Sequence, residues 1–537
     1  MHKTIAFTIM ALCLVCACAT AQSGPAPVSD EQQTILVQDF EFAGNSVVGS
    51  DILAQVAAPF QGKQLTLEDL KAVTGSISAY YHKQGYILAV AVLPEQEVSN
   101  GVIKVYIFEG RLGKVVINGD TGYAPGYLQS FFNRMRRQGV IRKDIMERAI
   151  LLMNDLPGMK ISSVLQAGEE QGTTDIIITA EKEQLVTGKF AIDNFGSRFA
   201  RVRANTGVNF LNRLGRGSAF SLNTVRSISS DNLYYYNASY TIPLGADGSS
   251  LSFYGLAGDF GVGKEFAILD IQGRASAMGI AFSRTLQINS KSRTVLQIGL
   301  DAKNSKQNIL GTTSSKDSIR SQRMDMLRTS ETASGRTSAS FSIQRGLGEK
   351  LGGMKDHDPL ASRSGPGADN QFTKFNYEYG RVQSLGPKSM LVARFSGQQS
   401  LDDLVLGEQM AIGGVDSVRG YEQAEYLGDS GMQASLELRF ATSRERMSKF
   451  QLAAFVDWGR VSLKTPALGQ AKSTTLTGAG FGLRYNPGNG YFIRTDVGFP
   501  LGKKPLSGKS AMYYLQNKQT SINSVKQVNS SVFRTKP

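Results

Sequence analysis

Cysteine, histidine and tryptophan are nearly missing from this sequence. Its 537 residues include three cysteines, three histidines and one tryptophan. All three cysteines, Cys13, Cys16 and Cys18, fall within the first 21 residues. That segment starts with His2 and Lys3, runs through the apolar stretch Ile5–Ala17 and ends in Ala19-Thr20-Ala21. A short polar start, an apolar core and a small-x-small site make a secretory signal peptide. Residues 1–21 are therefore expected to be cleaved, leaving a chain that begins near Gln22 with no disulfide, thiol nucleophile or cysteine metal site. Val15-Cys16-Ala17-Cys18 is loosely lipobox-like, so a lipid anchor at Cys18 is the alternative, although Cys16 is an odd occupant of that motif. The remaining histidines, His82 and His357, build no HExxH and lie near no matching acid or nucleophile motif. No enzyme activity, metal or other cofactor is expected.

Long apolar runs are absent as well. Beyond residue 21 no stretch of 18 apolar residues occurs, which excludes a transmembrane helix. The formal charge is +14, yet the basic residues are dispersed. They read as solvated faces and loops, and no nucleic-acid partner is expected. Ser507-Gly508-Lys509-Ser510 ends like a phosphate-binding loop, but Lys503 stands where that motif needs glycine.

Glycine, by contrast, is abundant at 57 residues, while 41% of the chain is hydrophobic and 19% charged. This mix favours a β-rich chain with many turns over a helical core. Gln22–Thr34, with Pro25 and Pro27, reads as a linker. Ile35–Phe42 alternates as a strand. Ser50–Pro59 and Thr66–Gly85 are expected helices, the second with Thr66 as N-cap, Asp69 three residues on, and an apolar stripe through Leu67, Leu70, Val73 and Ile77. Strands Ile87–Leu93 and Val102–Glu109 follow. The β-α-α-β-β order then repeats: strand Gly113–Asn118, helices Pro125–Arg137 and Arg142–Asn154, strands Ile161–Gln166 and Thr173–Glu181. Two tandem α+β modules, residues 35–110 and 111–184, with exposed sheet edges are the reading.

From about Val186 helical periodicity disappears. Strand-like runs of about ten residues recur between turns, the length of a tilted strand crossing a bilayer. With the amino end on the inner side, one set of connections is short, as in Pro243–Gly248, Ile288–Ser292 and Ser384–Lys388. The alternate set holds the long ones: Ser305–Gln322, Gly346–Asn370, Asp402–Gly431 and Ser462–Ser473. A soluble sandwich has no reason to keep that parity, whereas a membrane barrel must close so that no backbone group is left open in lipid. Residues 185–537 are thus expected to form an antiparallel transmembrane β-barrel of about 16 strands, the last drawn from the tail after Ala511. Its register is the least defined, since Gln516–Ser531 alternates poorly and Phe533 is near the end but not terminal.

One connection stands out. Gly407–Gly431 carries the pair Gly413-Gly414 and then Val418-Arg419-Gly420-Tyr421. An arginine held in a turn can make a forked, charge-assisted bond to a carboxylate.

With these residues in view the chain resembles the outer-membrane transporters of two-partner secretion (TpsB; haemolysin/haemagglutinin activator-type), barrels that carry periplasmic POTRA, or polypeptide-transport-associated, modules. In the first module the likeness lies in Gly85-Tyr86, Leu93-Pro94-Glu95-Gln96, Gly101 and Glu109-Gly110. In the second it lies in Leu156-Pro157-Gly158, Gly168 and Gly172-Thr173-Thr174-Asp175. In the barrel, Asp193-Asn194-Phe195-Gly196, Tyr240-Thr241-Ile242-Pro243-Leu244-Gly245, Val418-Arg419-Gly420-Tyr421 and Phe455-Val456-Asp457-Trp458-Gly459 carry it.

The resemblance implies that the long loop folds back into the barrel and that Arg419 meets Asp457, with Phe455 and Gly459 beside it on the wall. It implies that the modules bind an unfolded client through surfaces built around Tyr86, Pro94, Gln96, Gly110, Pro157 and Gly158. The client is a secreted exoprotein with an amino-terminal secretion domain, exported without nucleotide hydrolysis. Outer-membrane lipid and the barrel-assembly machinery are the other partners. Some relatives plug the pore with an amino-terminal helix. The proline-containing Gln22–Thr34 leaves no such helix expected here, so the loop alone restricts the pore. A general outer-membrane assembly or insertion factor of the same superfamily is the alternative. A plain diffusion porin leaves the helical modules unexplained.

Overall fold

The computed structural model describes residues 34–213, 216–228, 233–262, 268–442, 449–488 and 490–520. The expected signal peptide, nearly all of the linker and the Phe533 end lie outside these residues. The chain forms two compact units, one from residues up to Tyr80 with Val90–Phe108, the other from Tyr81–Ala89 with Glu109 onward.

The first unit has a three-stranded sheet with Val102–Phe108 at its centre. Asp39–Ala43 runs parallel on one side and Val90–Val92 antiparallel on the other. Ile103, Val105 and Ile107 alternate into the core, and the helices Ser50–Ala57 and Leu67–Lys83 bury Leu53, Leu70, Val73 and Ile77 at helical spacing. The second helix starts with a reciprocal cap. Thr66 Oγ1 accepts the Asp69 N–H (3.2 Å), and Asp69 accepts the Thr66 N–H (2.9 Å) and hydroxyl (2.7 Å). These bonds, the backbone one foremost, hold the half-buried Asp69 carboxyl below the usual carboxylate range.

The expected single strand Ile35–Phe42 is two. Gln38 hands its N–H to Gly101 O (2.8 Å), so Ile35–Val37 pairs instead with Lys63–Leu65, a strand the sequence reading lacked. The strand expected over Ile87–Leu93 shrinks to Val90–Val92.

The second module repeats the topology. Thr173–Lys182 is central, Arg111–Asn118 parallel to it and Met159–Ala167 antiparallel on the outer side. The helix expected over Pro125–Arg137 divides into Pro125–Ser130 and Asn133–Gln138 at Phe131-Phe132, two consecutive aromatics that are both buried. Helix Lys143–Asn154 adds Ile145, Leu152 and Met153 to the core, which also takes in Ile288 from a barrel turn. Arg148 on that helix donates to the carbonyls of Asp247 (2.7 Å), Thr285 (2.6 Å) and Leu286 (3.3 Å). The module is thereby clasped to the short-turn end of the barrel.

Sixteen antiparallel strands, from Val186–Asp193 to Met512–Thr520, close the barrel, and the first pairs with the last. The wall alternates. In Phe450–Ser462, Leu452 and Val456 are exposed on the lipid side while Phe455 and Asp457 are buried within. The long loop expected over Ser305–Gln322 is instead a continuation of the wall. Ser292–Ile309 and Thr312–Thr332 pair as far as Ile309–Thr312, with a turn at Leu310-Gly311. Residues 347–372, 401–429 and 463–472 do form long connections, on the end away from the module.

Candidate functional site

The connection between strands Ser389–Ser400 and Ser430–Ala441 turns into the barrel. A short hairpin, Met410–Ile412 with Tyr426–Gly428, stiffens it and presents residues 413–425 at its tip. Val418, Arg419 and Tyr421 are all buried. Gly420 has φ +105°, a conformation that other residues adopt only under strain. Its N–H donates to the Tyr514 hydroxyl (3.1 Å), which in turn donates to Tyr421 O (2.9 Å).

Arg419 and Asp457, 38 residues apart, meet in the lumen. Nε and Nη2 of Arg419 donate to the two carboxylate oxygens of Asp457 (2.7 and 2.9 Å), and the Arg419 backbone N–H adds a third bond (3.1 Å). Nη1 donates to Glu437 (2.7 Å), with Asp496 at 3.6 Å. The guanidinium lies over the Phe455 ring, Cζ 3.3 Å from its centroid. Arg484 closes the far side, bonding both oxygens of Glu437 (3.1 Å each) and Asp496 (2.6 Å). Arg439 and Arg494 add bonds to Glu437 (2.6 Å) and Asp496 (2.8 Å). Three carboxylates and four guanidinium groups thus share one largely buried cluster, in which each charge has a partner.

The wall is cut to receive the tip. A Cβ at Gly498 would lie 2.6 Å from Gly420 N, and one at Gly459 would lie 3.0 Å from Val418 Cγ2. A Cβ at Gly478 would strike the Arg419 carbonyl, and one at Gly480 would strike the Val497 carbonyl of the neighbouring strand before pressing on the Phe455 ring at 2.6 Å. Gly459 was singled out in the sequence. Glu437, Asp496, Arg484 and the glycines 478, 480 and 498 were not. The alternation Gly478-Ala479-Gly480-Phe481-Gly482 is the signal that could have marked an emptied inner face.

Residues 172–485, more than half of the chain, match the family model for haemolysin secretion/activation protein ShlB/FhaC/HecB, and residues 35–110 match the ShlB-type POTRA domain. The chain belongs to the ShlB/FhaC/HecB family. It is 24% identical over 491 residues to the heme/hemopexin transporter protein HuxB of Haemophilus influenzae, covering 88% of this chain and 84% of that one. It is 26% identical over 412 residues to the outer membrane transporter CdiB of Escherichia coli O6:K15:H31, covering 72% and 66%. The solved structure of CdiB from Escherichia coli superposes with a TM-score of 0.76 at 22% identity, over 93% of this chain and 92% of that one. This ShlB/FhaC/HecB member is thus an outer-membrane transporter of two-partner secretion, with its modules in the periplasm and an exoprotein as its transported partner. The short barrel turns are periplasmic and the long connections extracellular.

The module residues named from the sequence are engaged inside the transporter's modules. Tyr86 packs edge-on against Tyr81 (centroids 6.1 Å apart), and the Arg142 guanidinium lies 5.9 Å from its centre. Burial and then the bond to Glu109 raise the Tyr81 hydroxyl above its ordinary range. Gln96 uses its side-chain amide as a strand would, accepting the Lys104 N–H (2.7 Å) and donating to Lys104 O (2.9 Å) and Pro94 O (3.3 Å). It extends the short strand Val90–Val92 along the sheet. Gly110 and Gly158 both have positive φ, and a Cβ there would strike Leu88 or Leu185. Pro157 O accepts the Tyr123 hydroxyl (2.6 Å).

Proposed function

We propose that this transporter binds its exoprotein unfolded through the periplasmic modules and passes it through the barrel lumen, with loop 402–429 restricting the pore until it is displaced. The observation that carries this reading is the loop tip buried in the lumen, with Arg419 forked onto Asp457. No nucleotide hydrolysis drives the export. Folding of the client outside prevents its return. The client carries an amino-terminal secretion domain, and a haemolysin, adhesin, toxin or haem-binding protein each fits. Lipid surrounds the wall, and the barrel-assembly machinery inserts it. Tyr86, Pro94, Gln96, Gly110, Pro157 and Gly158 act through the module surfaces they shape.

Comparing culture supernatant and outer membrane from cells with and without the protein tests this. One large protein is expected to vanish from the supernatant while other barrels stay normal. A joint fall of many barrels would favour an assembly factor, and no change in either fraction would remove both readings.

The client's docking edge has its own test. Ile161 N–H bonds the Asn154 side chain (3.1 Å), while Gly168 N–H bonds Thr173 O within the hairpin. The odd-numbered residues of strand Met159–Ala167 therefore turn their donors away from the sheet. Val164 and Leu165 on this strand are exposed. An unfolded segment can add to such an edge through main-chain bonds. Proline at an edge position whose N–H faces solvent is tolerated by the sheet. Ser163→Pro is expected to leave the barrel in the membrane and to reduce exoprotein in the supernatant, and full secretion by this variant would remove the edge from the mechanism.

A further inference from the structure

The same loop is held at a second place, on a neighbouring arc of the wall. Glu408, eleven residues before Arg419, is buried at 2% exposure although it is an acid on a loop. One carboxylate oxygen accepts Lys303 Nζ (2.6 Å) and the other accepts Lys374 Nζ (2.8 Å) and Gln344 Nε2 (3.3 Å). Its backbone carbonyl accepts Lys374 Nζ (2.8 Å) and Gln398 Nε2 (3.0 Å). These four partners stand on the strands Ser292–Ile309, Gly335–Gly346, Thr373–Ser384 and Ser389–Ser400. The partners of Arg419 stand on Ser430–Ala441, Phe450–Ser462 and Tyr491–Pro500. In the ring of sixteen the first set lies within strands seven to eleven and the second within strands twelve to fifteen, so the two clasps hold adjoining arcs of the wall.

We propose that Glu408 is a second clasp of the pore loop, a positioning residue that fastens the loop's entry segment to a neighbouring arc of the wall, so that opening requires both clasps to let go. This rests on the reading that the loop restricts the pore. Docked, the Glu408 carboxylate compensates two ammonium groups and a side-chain amide at once. Lifting it away leaves two lysine charges facing each other across the wall. The arrangement needs the negative charge and not only the volume of the side chain.

The test is ion conductance of the purified full-length protein in a planar lipid bilayer, with heat-modifiable migration on gels as the check on folding. Glu408→Gln keeps the shape and loses the charge. It is expected to raise the mean conductance about tenfold, on the scale of one lost charge-assisted bond. Lys303→Gln alone is expected to give a smaller rise, and the double variant no more than Glu408→Gln, because both act on one contact. Lys303→Gln also serves as the test should Glu408→Gln fail to insert. Arg419→Ala is run beside them. Conductance that rises for Arg419→Ala and stays unchanged for Glu408→Gln overturns the second clasp and keeps the pore loop. Conductance unchanged in both overturns the loop reading itself. Effects of Lys303→Gln and Glu408→Gln that simply multiply would also overturn the proposal, since the lysine would then act elsewhere.

Discussion

Arg419→Ala leaves the barrel in the outer membrane and lowers secreted exoprotein more than about tenfold, the scale set by losing a buried ion pair. Among the described residues, every hydrogen bond to the Asp457 carboxylate comes from Arg419. Glu437 and Asp496 keep Arg484, Arg439 and Arg494 when Arg419 is gone. The loss therefore falls on Asp457, which is fully buried. An uncompensated buried charge of this kind costs about 3–5 kcal/mol, less where lumen water reaches it, and lifting the loop tip relieves that cost. The reverse substitution, Asp457→Asn, is expected to be milder, because Arg419 retains Glu437 at 2.7 Å. Arg419→Lys should behave more like alanine than like arginine, since an ammonium cannot span Asp457 and Glu437 with a planar fork. The readout is exoprotein in the supernatant, normalised to barrel in the outer-membrane fraction. Wild-type secretion by Arg419→Ala, or a more severe loss for Asp457→Asn than for Arg419→Ala, would contradict the account.

Much of this was written in the sequence, for reasons that also explain what was not. Alternation survives where one face of a strand meets lipid and the other the lumen, as in Leu452, Val456 and Asp457. The parity of turn lengths then orients the barrel. Ser305–Gln322 reads as a loop in the sequence because those residues lie where the bilayer no longer sorts the two faces. Small polar residues such as Ser314, Ser315 and Ser318 carry no dyad pattern, though the ladder continues there to Ile309–Thr312 with one bulge at Ser314. The ends of the ion pair were marked by Val418-Arg419-Gly420-Tyr421 and Phe455-Val456-Asp457-Trp458-Gly459, which match a family pattern. Glu437, Asp496 and Arg484 had no such mark. Each is one charged residue at a lumen position, and polar lumen residues are ordinary. Only strand register, a property of the folded ring, brings Glu437 opposite Phe455 and Arg484 within reach of Asp496. Glu408 was hidden in the same way. A single acid in a loop says nothing until four strands from elsewhere in the chain surround it.

A loop that merely plugs the pore and a loop that must leave and return give opposite results when it is fastened in place. The structure offers a clean fastening. A Cβ built on Gly459 lies 3.5 Å from Ile412 Cβ, within the span of about 3.5–4.5 Å that a disulfide bridges. Gly459 is not among the glycines with positive φ, so cysteine is allowed there, with Val418 Cγ2 at 3.0 Å giving way by a few tenths of an ångström. Residues 19–537 contain no cysteine, so the pair Ile412→Cys with Gly459→Cys has no competing thiol in that stretch. The bond would tie the loop hairpin to the wall strand Phe450–Ser462 beside the Arg419 cluster without touching a charged group. The oxidised double variant is expected to stop secreting and to conduct no more than the wild type. Reductant added to the culture should restore secretion, and each single cysteine variant should secrete in both conditions. Continued secretion with the disulfide formed would show that the client passes beside a seated loop, and the displacement step would have to be abandoned. Silence when locked, together with failure in Arg419→Ala, would mean that export needs the loop both seated and released. The Arg419–Asp457 pair then sets a resting state that the client must break, and its strength has to be bounded on both sides: enough to close the pore, not so much that an unfolded chain cannot displace it.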